Sequence, residues 1–125
     1  MYLVLSSFLF TIPVIFRKKA IRHGSFGMMV VSSLHHLLIK IGKRSMLLNW
    51  LDKLMIYGNG MISLKKTTKV TLIPWSICTF NAIILYFVGI KMFGYQNDHH
   101  ENTLYHGTVM HILLHINGVI AMMVV

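Results

Sequence analysis

An all-α bundle of about five transmembrane helices is the fold class this sequence predicts, on three observations. Apolar residues make up 55% of its 125 positions, and mean hydropathy is +0.65, well above an ordinary globular domain. The apolar residues gather into five runs of a length close to the roughly 20 residues that cross a bilayer. Between the runs lie clusters of basic residues, the usual anchors at lipid headgroups.

The first run, Met1 to Phe16, has no basic residues ahead of it, so it reads as a retained anchor and not a cleaved leader. It is short, as is the second, Phe26 to Ile41, and snorkelling Arg17 and Lys40 would extend their reach. The third, Met46 to Leu64, is the least apolar. Its Asp52, Lys53, Gly58, Asn59 and Gly60 require that the polar side face the bundle or an interface. The fourth, Val70 to Phe93, holds Pro74 near its start and the single cysteine, Cys78, so the chain forms no internal disulfide. Leu104 to Val125 is the fifth. With seven Lys and Arg in the first and third loops against three in the second, those two loops are expected in the cytoplasm with the C-terminus. No repeat or long linker divides residues 1–125, which read as one multi-pass integral membrane domain.

Twelve Lys and Arg against Asp52, Asp98 and Glu101 give a net charge of +9. On another chain that balance would suggest nucleic acid. Here the cations sit between apolar runs, and no zinc-finger spacing, recognition helix or aromatic-basic interleaving occurs, so a nucleic-acid partner is excluded.

Chemistry is concentrated in a few polar residues inside the apolar runs. His111-Ile-Leu-Leu-His115 places two imidazoles four residues apart, on one face of a helix. Ser32 and His36 are likewise one turn apart, and Asp52 is the lone carboxylate of the apolar runs. Zinc in hydrolytic sites commonly takes three protein ligands and leaves a position for water, whose pKa it lowers from about 15.7 towards about 7. His36, His111 and His115 would supply the ligands, Asp52 would take a proton from the water, and Ser32 would hydrogen-bond the substrate carbonyl oxygen.

Each element also has a plainer reading. A His-x-x-x-His pair equally serves interhelical hydrogen bonding, and Ser32-Ser33 suits a close helix contact. Asp52 fits an interface, with Lys53 snorkelling beside it. Only one of the consecutive His35 and His36 can face a shared site. His99 and His100 read as solvated, His23 as a headgroup-facing residue, and His106 as off the His111–His115 face. What favours the metal reading is that three separate runs each supply a residue type the site needs.

The same motifs resemble the CREST superfamily of membrane hydrolases, which includes alkaline ceramidases, progestin and adiponectin receptors and GPI-processing phospholipases. Ser32-Ser-Leu-His-His36 looks like the family's Ser-x-x-x-His, Leu51-Asp52 like its aspartate at the start of the next helix, and His111-Ile-Leu-Leu-His115 with Gly118 like its closing helix. The resemblance implies zinc on His36, His111 and His115, Ser32 and Asp52 completing the site, and hydrolysis of a membrane lipid's amide or ester bond. The chain departs from it in having room for about five helices where members have seven, and Leu114 where many carry tryptophan. Two other functions fit the sequence. One is a non-catalytic membrane protein, a receptor-like relic or assembly factor, whose polar residues join helices. The other is a haem protein with axial ligands from His36 and His111 or His115.

Overall fold

Among the described residues, all regular structure is helical. In the computed structural model, backbone is described for residues 2–17, 19–43, 45–93 and 105–125, and side chains for the same residues except 89–93 and 105–108. Helix α1 (Tyr2–Ser7) passes through a 3-10 turn (Phe8–Phe10) into α2 (Thr11–Phe16); α3 spans Lys19–Lys40, α4 Met46–Lys66, α5 Leu72–Phe93 and α6 Tyr105–Val124.

Local chemistry accounts for the breaks. Pro13 has no N–H, and a proline ring crowds the carbonyl four residues back, here Leu9; the helix tightens at Phe8–Phe10, and the Thr11 N–H turns to the carbonyls of Leu9 and Phe8. Arg17 is extended and ends α2, with its N–H on the Pro13 carbonyl at 2.8 Å, while Arg22 Nε donates to the carbonyls of Val14 and Arg17. At the far end of α3, Gly42 adopts φ +76. Its N–H bonds the Ile39 carbonyl at 3.0 Å and that of Lys43 the Leu38 carbonyl at 2.8 Å, the paired bonds of a Schellman cap. Ser45 then caps α4 by accepting from the Leu48 N–H at 3.3 Å.

Helix α3 is the hub. Its buried residues Ile21, Ser25, Met28, Ser32 and His35 recur every three or four positions and form one inward stripe, which His36 widens at its end. Against it α1 and α2 run antiparallel, with Ser7 beside Ser32 and Thr11 beside Met29. So does α6, with Ser25 beside Met122 and His36 beside His111. So does α4, which approaches so closely at Gly24 that a Cβ there would collide with the Asn59 side-chain amide; Asn59 Nδ2 donates to the Gly24 carbonyl at 3.1 Å. Phe10, Ile21, Met28, Val119 and Met122 make an apolar core at one end of the stripe. Ser32, His35 and His36 occupy the other end. Helix α5 packs mainly on α6 and meets α4 through Trp75 Nε1, which donates to Ser63 Oγ at 2.9 Å.

The expected transmembrane bundle is overturned. Among the described residues, no helix is long and apolar enough to cross a membrane. The 2–16 run is broken at Phe8–Phe10. Helices α3 and α4 have 22 and 21 residues, but Arg22, His23, four serines and histidines at 32–36 and Lys40 dilute the first, and Asn49, Asp52, Lys53, Asn59 and Ser63 the second. Apolar runs counted in sequence overstated hydropathy because they passed over the polar residues within them. The multi-pass membrane location and the loop orientation lose their premise with the spans.

Candidate metal centre

The site is built where α3, α6 and α1 converge. His36 comes from the last turns of α3, and His111 and His115 from successive turns of α6. All three are buried, and one nitrogen from each lies within 4.8 Å of the other two. The rings touch edge to face, His36 with His111 and His111 with His115, both with centroids 4.7 Å apart. His36 and His115 are 5.7 Å apart. Rings in such mutual contact leave no slot for a porphyrin plane between them, which disfavours the haem arrangement.

Burial lowers the pKa of all three imidazoles. For His36 and His111 the fall is well below the ordinary value, with neighbouring imidazoles adding to the effect. His115 falls to about 3, chiefly through burial, then through His36, with a hydrogen bond to the Ser6 backbone working in the opposite direction. Neutral imidazole is the form that ligates a metal, so this environment keeps the lone pairs available well into acid. His36 Nε2 is also buried without a hydrogen-bond partner in the protein. A buried ring nitrogen in that position is normally satisfied. A cation shared by the three rings would satisfy it, and the donor set of three imidazoles fits zinc or a similar borderline ion. The triad can hold a metal ion.

Ser32 lies one turn before His36 on the same stripe and is 1% exposed. It ties Asp52 to the site. The Asp52 carboxyl is pushed up to about 6, first by burial, with the Ser32 hydrogen bond and then Lys53 opposing the rise. Its Oδ1 is buried with no hydrogen-bond partner in the protein, a second unsatisfied acceptor in the region.

Two residues of this neighbourhood were not singled out by the sequence. Ser7 Oγ lies 3.2 Å from Ser32 Oγ and 2.9 Å from the Leu3 carbonyl. Ser6 Oγ lies 2.8 Å from His115 Nδ1. Two consecutive serines in an apolar run were the available signal; their partners, 25 and 109 residues away, were not. His35 is also buried, its ring centroid 5.4 Å from that of His36. His99, His100, Asp98 and Glu101 lie outside the described residues, as does the side chain of His106. His23 is exposed.

Comparison with family models, with curated proteins and with solved structures found no match.

Proposed function

We propose that the chain is a zinc-dependent hydrolase of an amide or ester, with His36, His111 and His115 as the metal ligands. The observation that carries this reading is the convergence of three buried, neutral imidazole nitrogens within 4.8 Å. When bound there, zinc supplies Lewis acidity and an activated water. Asp52 serves as the proton acceptor: a carboxyl near 6 is ionised at neutral pH yet basic enough to take a proton, the balance a general base needs. Ser32 orients that carboxylate through its hydrogen bond and offers a hydroxyl to the substrate's carbonyl oxygen. A lipid acyl chain as the substrate's apolar part follows from the resemblance in the Ser32-to-His36, Asp52 and His111-to-His115 motifs.

The test is metal content of purified protein beside its His36→Ala, His111→Ala and His115→Ala variants. One zinc per chain is expected, with each variant weakened by more than about a hundredfold, beyond the 10–100-fold typical of outer-shell changes. Full retention of zinc in folded His111→Ala protein would sink the assignment. Loaded protein is then expected to cleave ceramide or phospholipid substrates, and His111→Ala to be inactive.

A further inference from the structure

A metal takes a histidine only through a nitrogen that has no proton, so each ligand must be held in one tautomer. For His115 the structure contains a means of doing this. Ser6 is 6% exposed and its Oγ has two partners, the Leu3 carbonyl at 2.9 Å and His115 Nδ1 at 2.8 Å. A serine hydroxyl has one proton and two lone pairs. The Leu3 carbonyl can only accept, and the Ser6 hydroxyl donates to it, one turn back along α1. With its proton placed there, the hydroxyl accepts at His115 and Nδ1 carries the hydrogen. Nε2 is left with its lone pair.

The neighbours point the same way. The proton of Ser7 has its own acceptors in the Leu3 carbonyl and Ser32, so Ser6 alone addresses His115. Phe10, one turn on from Ser6, packs edge-on against the His115 ring with centroids 5.5 Å apart and limits its rotation.

We infer that Ser6 is a positioning residue for the metal centre: accepting a hydrogen bond from His115 Nδ1, it fixes the tautomer that presents Nε2 to the ion. The inference rests on the metal reading above for its purpose, but the tautomer is measurable without metal.

The experiment is long-range 1H–15N correlation of histidine-labelled, zinc-free protein at neutral pH, with His115 assigned by its loss in His115→Gln. His115 is expected with Nδ1 protonated and Nε2 bare. In Ser6→Ala the Nε2–H form should appear, and zinc affinity, titrated on the same sample, should fall about 10–100-fold. Ser6→Thr, which keeps the hydroxyl, should recover both. Ser7→Ala removes the neighbouring hydroxyl at equal change in volume and should leave the His115 tautomer as it was. A bare Nδ1 in the unsubstituted protein overturns the inference, as does a Ser6→Ala protein with unaltered tautomer and affinity. If the unsubstituted protein takes up no zinc, the metal reading falls by that result, while the spectrum still decides the Ser6 bond by itself.

Discussion

The inward face of α3 and the outward face of α5 follow opposite rules. On α3, Ser25, Ser32, His35 and His36 are buried. On α5, Ile73, Ile77, Phe80 and Phe87 stand well exposed, Phe80 at 63%. Helix α4 shows the contrast within itself: its buried residues are Asp52, Asn59 and Ser63, while Leu47, Trp50, Leu54 and Met61 are exposed. Apolarity alone therefore does not sort inside from outside here. Beside the apolar core, burial goes to polar groups, several of which meet partners, because a buried hydroxyl, amide or imidazole left without one costs about 1–3 kcal/mol; His36 Nε2 and Asp52 Oδ1 are exceptions. Ser63 has Trp75, Asn59 has the Gly24 carbonyl, and Ser6 has His115.

That contrast can be broken hardest at Asp52. Asp52→Asn keeps the shape and the Ser32 contact but removes the base; hydrolysis is expected to fall by about 10²–10⁴ while zinc stays bound, checked by turnover and metal content on one preparation. Equal loss of both would make Asp52 a structural residue.

Acidification probes the same face collectively. The three imidazoles titrate below their ordinary value when folded, so below about 6.5, and for His115 down to about 3, the unfolded chain binds more protons and stability falls as pH drops. Asp52 acts in the other direction: with its carboxyl raised to about 6 from an ordinary 3.8, the folded state holds the extra proton between those values. It offsets one imidazole there and none below. Zinc-free protein should thus lose stability from pH 6.5 downward and more steeply below pH 4, by on the order of 1 kcal/mol per pH unit for each unopposed proton. Urea midpoints measured at several pH values check the slope. A stability maximum near pH 4 would contradict it.

Packing comes next. Gly24→Ala drives a methyl into the Asn59 amide, and a loss of about 1–3 kcal/mol is expected by urea denaturation. The loss should shrink when Asn59 is also changed to Ala, since the obstruction is that side chain. The smallest effect belongs to α5: Phe80→Ser should shift stability by no more than about 0.5 kcal/mol and leave zinc affinity unchanged. A larger change would show that the outward face has a partner.

How much of this was legible in the sequence varies by residue. Helices could be placed because apolar runs bounded by basic clusters are local signals, while the break at Phe8–Phe10 and the caps at Gly42 and Ser45 were not read from the sequence. His111 and His115 could be paired because four residues make one turn; joining them to His36 needed a guess about packing, guided by residue type. The membrane-spanning reading failed because runs were bounded by charges and then treated as uniform, when α3 and α4 owe their inward faces to polar residues. Ser6 was out of reach, since nothing near it in the chain announces an imidazole in another helix.

The Ser6–His115 bond joins residues 109 positions apart, which gives the site a place in time as well as in space. The pairing of α3 with α4 closes across the short Ile41–Ser45 turn and needs little chain to form. The metal centre needs α1 and α6 brought together, and contacts of such long sequence separation are slow to form because loop closure precedes any reward. A growing chain would thus build its helical hairpin first, and the three histidines could not come together until α6 had been synthesised.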